Sequence, residues 1–323
     1  MPSLVTHAYF ALDVLEKLDE NTKNIINKEL DTYKVFSNGP DPFFSAIGKN
    51  KNIYRKFGHT MHREKCGLFF KNVITYIKEN NLENNPQVLA YLYGNITHYV
   101  LDSTIHPLVY YKTGRYIKGR KDRKIYKGKH GLMEFVIDQY MLAVKNNTKN
   151  NKVKIHNLGI PKIKLSNGLI NLIEKSSLDT YDIKNAGIAM KRSIKSMRFI
   201  YKHLRYDRFG IKRLLYNFLY YITFKKLDIL VVSSYKFNFM KYIHYLNLDK
   251  NEWFHPVDKE EIFNYSYIEL YAIAYKRAIK LINLVNQVLN NEIEIENVYD
   301  LLNNSYLTGK NLEDRRKIQY FSY

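Results

Sequence analysis

Only one cysteine, Cys66, stands among the 323 residues. An internal disulfide, a cysteine zinc ribbon and any site built from several thiolates are therefore excluded; a reducing compartment fits, with Cys66 packed in its helix rather than reactive. Long apolar runs are also missing. The most apolar stretches, 214–224 and 229–232, are separated by Lys225, Lys226 and Asp228, so no run of about 20 apolar residues is available to cross a bilayer. The opening MPSLVTHAYFALDVLEKL lacks the basic start and the apolar run of roughly 7–15 residues that mark an export signal. A cytoplasmic protein is expected, with peripheral attachment to a membrane left open. Glycine and proline are scarce, at 14 and 7, and no phosphate-binding glycine loop, serine nucleophile elbow or internal repeat is present.

Acids are few as well, 31 against 51 lysines and arginines, which leaves a net charge of +20. The excess is concentrated. Residues 112–129 and 191–213 each hold nine basic residues and one acid, so these two segments carry sixteen of the twenty net charges. Such segments draw in an anionic substrate or lie against an anionic surface, although a solvated loop without special purpose explains 112–129 equally well. The stretch 214–224 next to the second basic segment reads more readily as a buried core helix than as an interfacial one resting on lipid.

Apolar positions recur at a spacing of three to four over 5–18, 60–79, 86–106, 130–145, 166–176, 185–205, 210–224, 235–246 and 265–290, and strands are not evident. The expectation is an all-α, multi-helix bundle with a multinuclear metal site between helices. Three regions are expected: a metal-binding core over 1–145, a helical continuation of the same domain over 146–290, and a polar peripheral tail over 291–323.

The metal expectation comes from the histidines, six of which lie in the first 130 residues. His98 with Asp102, and His130 with Glu134, are i,i+4 pairs that share one face of a helix. A lone histidine on an apolar helix is usually a packed core residue, but two such pairs within 40 residues are harder to dismiss. His98 and His106 are eight residues apart, about 12 Å along a helix, whereas a zinc–ligand bond is about 2 Å, so one ion cannot join them. Pro107 favours an extended His106, which would then sit at a helix end and turn toward a second ion. Histidine, aspartate and glutamate without thiolate suit zinc best, ahead of manganese or iron.

Upstream lie His7, the turn Asn38-Gly39-Pro40-Asp41-Pro42-Phe43-Phe44, and Phe57-Gly58-His59-Thr60-Met61-His62; downstream of them runs Tyr91-Leu92-Tyr93-Gly94-Asn95-Ile96-Thr97-His98-Tyr99-Val100-Leu101-Asp102. In this order the residues resemble the zinc-dependent phospholipase C family, whose fold is shared with single-strand-specific nucleases. The resemblance covers residues 1 to about 145, and returns more faintly from Tyr245 through Trp253-Phe254-His255-Pro256 to Tyr271. It implies two or three zinc ions. Asp41, His62 (or His59) and His98 would hold one, with Asp102 bridging to a second held by His7 and the chain's N-terminus; His106, His130 and Glu134 would hold the third. The chain departs from the family where secreted members expose an N-terminal tryptophan, since it begins Met1-Pro2, and in an Asp102–His106 interval two residues shorter.

The activity implied is hydrolysis of a phospholipid or related phosphodiester by a zinc-activated water, with Asp41 as base or only as ligand. A nuclease acting on single-stranded nucleic acid is the alternative on the same fold, and a non-catalytic metal-stabilised binding protein the alternative from another class. Phe43 and Phe44 are the only neighbours of Asp41 offered for a choline-binding cage.

Overall fold

The computed structural model describes residues 4–115, 126, 128–146, 152–222 and 239–322. In chain order its helices are α1 (Leu4–Leu15), α2 (Glu20–Asn27), α3 (Leu30–Phe36), α4 (Lys51–Met61), α5 (Cys66–Glu79), α6 (Pro86–Thr113), α7 (Lys129–Lys145), α8 (Ile155–Leu158), α9 (Asn167–Tyr181), α10 (Ala186–Phe199), α11 (Ile211–Ile222), α12 (Tyr267–Leu289) and α13 (Glu296–Leu302). A 3₁₀ turn covers Asp41–Ser45, a π-helical turn (Ile200–Arg205) continues α10, and a second 3₁₀ segment covers Phe239–Leu246. The bundle is all-α, as expected, apart from one hairpin.

Helix α6 is the axis of the bundle. It starts where Pro86 takes the first helical position and the Asn85 side chain accepts from the amides of Gln87 and Val88. Nearly every residue from Val88 to Tyr110 is buried. A helix with no solvent face must be enclosed all round, and α1, α2, α3, α7 and α12 supply that enclosure. Helix α12 is set by a capping box, Ser266 and Glu269 exchanging side-chain and backbone bonds. On the other side α5 packs on α9 and α9 on α10, while α10 and α4 both press on the Asp41–Ser45 turn.

Four features differ from the sequence reading. Helix α6 runs through Pro107 to Thr113 instead of ending at His106. Proline removes the amide that would bond the Ser103 carbonyl, and Gly309 packs so tightly against that oxygen that a Cβ there would overlap it; the enclosure keeps the helix going. A short antiparallel hairpin, β1 (Trp253–His255) and β2 (Asp258–Phe263), lies against α6 with Trp253 opposite Phe263. Three residues of β1 are too few for alternation to be visible. Helix α11 is not a core helix: of its described side chains only Tyr216 is buried, while Ile211, Leu214, Leu215, Phe218 and Ile222 are exposed. The final segment is also not merely peripheral, because Val298, Leu302 and Tyr306 are buried. Among the described residues no helix is long and apolar enough to cross a membrane. Most of the basic segment 112–129, the N-terminal Met1-Pro2 and the stretch 229–232 lie outside the described residues.

Helices α3 and α6 approach closely at Gly94, where a Cβ would stand 2.8 Å from the Tyr33 carbonyl and 2.9 Å from the Phe36 backbone. Alanine elsewhere in a helix gains about 1 kcal/mol over glycine. Here Gly94→Ala is expected to destabilise by about 1–3 kcal/mol through overpacking, read as a lower urea midpoint at unchanged slope; a neutral or raised midpoint would refute the close packing of α3 on α6.

Candidate metal centre

The eight proposed ligands come from five places in the fold. The first turn of α1 supplies His7, the 3₁₀ turn supplies Asp41, the C-terminal end of α4 supplies His62, α6 supplies His98, Asp102 and His106, and α7 supplies His130 and Glu134. All are buried except His130, which is partly exposed. Asp138, one turn beyond Glu134 in α7, accepts from the Val5 and Thr6 amides and from the Thr6 hydroxyl at 2.7–3.2 Å, and so fixes the start of α1 beside His7.

Gly39 brings the Asp41 turn in. Its φ of +49° is a left-handed conformation that glycine adopts without strain, and a Cβ there would collide with the His98 ring. The turn can therefore lie directly on that imidazole. His62 follows because its Nδ1–H donates to the Gly58 carbonyl at 2.7 Å, which directs Nε2 to Asp41 Oδ1 at 3.2 Å.

Asp102 stands in the middle. Its Oδ1 lies 3.2 Å from His7 Nε2, and its Oδ2 lies 3.3 Å from His98 Nε2, 3.6 Å from His106 Nδ1 and 3.8 Å from His62 Nε2. His106 donates Nδ1–H to the Tyr306 carbonyl at 2.9 Å, leaving Nε2 3.5 Å from Glu134 Oε1; His130 Nε2 lies 2.8 Å from the same oxygen. A backbone carbonyl on one imidazole nitrogen fixes the tautomer and leaves the other nitrogen bare for a metal.

Three groups emerge whose potential ligand atoms all lie within 4.8 Å of one another: His7, His98 and Asp102; Asp41, His62 and His98; His106, His130 and Glu134. Tetrahedral zinc with bonds of about 2.0–2.1 Å separates its ligands by about 3.3–3.4 Å, close to the 3.2 and 3.3 Å between Asp102 and His7 and His98. Both nitrogens of His98 and both oxygens of Asp41 are buried without a hydrogen-bond partner. Buried polar atoms are seldom left so, and their chemistry, imidazole and carboxylate without thiolate, fits zinc. His98 and His106 fall in different groups, as their separation along α6 requires. His59 belongs to none of the groups; it is exposed and packs on Phe44, with ring centroids 4.6 Å apart.

The sequence model of the zinc dependent phospholipase C family matches residues 5–181, more than half the chain and inclusive of all eight of these residues. The chain belongs to that family. No curated protein and no solved structure matches it. Zinc dependence is a property of the family, and the three groups are ones that could hold metal ions.

The phospholipase C cluster opens on a cavity of about 360 Å³ lined by Asp41, His62, Asp102, His106, His130 and Glu134, and also by Phe44, Arg55, His59, Arg63, Tyr110 and Leu307. Phe43, by contrast, is buried in the core, so only Phe44 of the pair faces the cavity. Sequence reasoning missed Arg55, Arg63, Tyr110, Asp138 and the Tyr306 carbonyl. The i,i+4 step from Arg55 to His59, one turn before His62, was a signal available for the first; nothing in the tail marked Tyr306.

Burial sets the protonation pattern and the neighbours modify it. Burial, then His7, His62 and His106, hold His98 well below the ordinary imidazole value against the pull of Asp102, so it is neutral and ready to bind a cation. Burial opposes charge on Asp102, but His106, His98 and His7 outweigh it and keep the carboxylate ionised. Burial raises Asp41, with His62 pulling it down only in part. For His106 burial is outweighed by Asp102 and Glu134, which carry it up to about 9.

The sign of the pH effect follows. In the metal-free protein the proton on His106 stabilises the fold fully below pH 6.5 and this contribution is lost as the pH rises through about 9. Zinc takes the neutral ring, so zinc uptake at pH 7 is expected to release a proton that is no longer released at pH 9.5. Calorimetric zinc titrations in two buffers of different ionisation enthalpy check this; equal proton release at both pH values would contradict it.

Proposed function

We propose that the chain is a phospholipase C-type hydrolase that cleaves a phospholipid phosphodiester by attack of water on phosphorus. The observation that carries this reading is the convergence of eight imidazole and carboxylate side chains in three adjoining groups, six of them lining one cavity, in a chain of this family. Asp41, His62 and His98 would hold one ion, His7 and Asp102 a second with Asp102 bridging to the first, and His106, His130 and Glu134 a third. The N-terminal amine is a further candidate for the second. Bound there, zinc would polarise the phosphoryl oxygens and acidify a water toward neutrality.

The chain's own groups do the rest. Asp41 is raised by burial, keeps both oxygens without hydrogen-bond partners and faces the cavity, which suits a base that orients the attacking water and takes its proton. Its attack in line with the departing alcohol gives a diacylglycerol and a phosphorylated headgroup. Phe44 and Tyr110 give the cavity part of its apolar lining. The fixed tautomers of His62 and His106 hold the wall rigid while charge moves.

A membrane surface completes the proposal. On α11 Ile211, Leu214, Leu215, Phe218 and Ile222 follow the i, i+3, i+4, i+7, i+11 pattern of a single face, and that face is exposed. Lys212 and Arg213 flank it and Lys191, Arg192 and Lys195 precede it on α10, the composition of a helix that lies on anionic lipid.

Two measurements test this. Metal analysis of purified protein, joined to parallel assays of phosphatidylcholine, an aryl phosphodiester and single-stranded DNA, is expected to find two or three zinc ions and hydrolysis of lipid ahead of DNA; Asp41→Asn should keep most of the zinc while losing at least about 10²-fold in kcat, and retained turnover would remove Asp41 from proton transfer. Flotation with vesicles containing phosphatidylserine should carry the protein upward at low salt, and Leu214→Asp/Phe218→Asp should abolish it; failure of the unaltered protein to float would end the membrane-surface reading.

A further inference from the structure

The wall of the cavity opposite in chemistry to the cluster is cationic. Arg55, His59 and His62 step along α4 and its C-terminal end at i, i+4 and i+7, and Arg63 follows directly. All four line the same cavity as the metal-type groups. His62 reaches Asp41 at the bottom of this ladder, and Arg55 stands about two turns, ~10 Å of helix, further out.

Neither arginine is paired, although Glu64 next to Arg63 in sequence partly offsets its charge. Arg55 and Arg63 take part in no ion pair or hydrogen bond among the described residues, whereas Lys71, Lys145 and Lys310 elsewhere in the chain are paired with acids. Arg115 lies close enough to Arg63 that, after partial burial, it is the next influence lowering that guanidinium. Like charges gathered on a concave surface without counterions repel one another, and a bound anion relieves the repulsion. Guanidinium groups in particular donate paired N–H bonds to phosphate and carboxylate oxygens.

A cationic headgroup would find little here. Holding one requires aromatic faces and acids around it. Of the aromatic residues that flank Asp41 only Phe44 reaches the cavity, and every carboxylate lining the cavity belongs to the metal-type groups.

We infer that Arg55 and Arg63 form a headgroup subsite that selects a phospholipid whose scissile phosphodiester leads to a second anionic group, a phosphomonoester or carboxylate, held between Arg63 next to the metal cluster and Arg55 about two helical turns further out. The inference rests on the phospholipase reading for the identity of the reaction and deepens it by naming the headgroup class. The exposed apolar stripe of α11 favours a lipid over single-stranded nucleic acid as the source of the paired anions, because nucleic acid has no use for exposed Leu214, Phe218 and Ile222.

Two arms test it. In mixed micelles at equal mole fraction, the zinc-loaded protein is expected to cleave phosphatidylinositol 4-phosphate at least tenfold better in kcat/KM than phosphatidylcholine, and Arg55→Gln/Arg63→Gln is expected to lower that ratio at least tenfold, chiefly through KM. In the second arm, calorimetry with the soluble deacylated headgroup glycerophosphoinositol 4-phosphate is expected to show binding to zinc-loaded Asp41→Asn protein that weakens at least tenfold when Arg55 and Arg63 are also replaced by glutamine, with unchanged zinc content and circular dichroism. Preference for phosphatidylcholine, an equal loss on all substrates in the double variant, or tighter binding of a single-stranded oligonucleotide than of the headgroup would overturn the inference. If no diester of any kind is cleaved, the reaction proposed above fails, and the calorimetric arm still decides the subsite by itself.

Discussion

Asp102 is buried in the middle of α6 with the imidazoles of His7, His62, His98 and His106 each within 3.8 Å of its oxygens. A carboxylate in that position without partners would cost several kcal/mol, and would neutralise instead. Its surroundings keep it ionised. That requirement propagates outward, because imidazoles that solvate a carboxylate must come from separate elements: α1, the end of α4 and two turns of α6. The fold is the arrangement that lets three helices meet at one charge.

Bringing helices that near needs residues without side-chain bulk at the contacts. Gly94 admits α3 to α6, and Gly39 admits the Asp41 turn to the face of His98. Neither position contributes a functional atom, yet each sets a distance on which the ligand geometry depends. Asp138 does the corresponding work electrostatically: its carboxylate collects the amides at the start of α1, where an anion is favoured by the helix dipole, and His7 is held one turn away as a result. A polar core of this kind is stable only if complete, since each unsatisfied member is penalised more in low dielectric than in water. The oxygens of Asp41 and nitrogens of His98, which make no hydrogen bond among the described residues, mark the part of the network left incomplete.

How much of this could be read from the sequence depended on whether the signal was local. The pairs His98/Asp102 and His130/Glu134 were legible because an i,i+4 spacing and a helix suffice to place both groups together. Long helices such as α6 and α12 were legible for the same reason, with ends blurred by a residue or more. His62 could not be separated from His59 by spacing alone, since three residues on a helix turn both toward similar directions; in the structure it is His62 that lies beside Asp41, with its Nδ1 on the Gly58 carbonyl. Pro107 misled, because its local preference for a helix end was overridden by burial on every side. Tyr306, two hundred residues from His106 and in a polar stretch, presents its backbone carbonyl, and a carbonyl leaves no trace in residue type. The orientation of α11 was misread for a related reason: an amphipathic pattern shows that one face is apolar but not which way it is turned.

The charge balance of the centre carries the argument furthest. Asp41, Asp102 and Glu134 are the carboxylates in the three groups, and the remaining members are imidazoles, which bind metal as neutral rings. Two divalent ions would exceed these carboxylates by one positive charge and three ions by three. Most metal sites in proteins answer such an excess with further acids nearby, but the cavity adds Arg55 and Arg63 instead. A single phosphodiester brings one negative charge. In a cavity walled partly by Phe44, Tyr110 and Leu307, where the effective dielectric is below that of water, the uncompensated positive potential is strong, and it falls most for a ligand with more than one anionic group. A site of this sign discriminates before any contact is made, through the potential at its mouth, and then again when guanidinium and phosphate are brought together without intervening water.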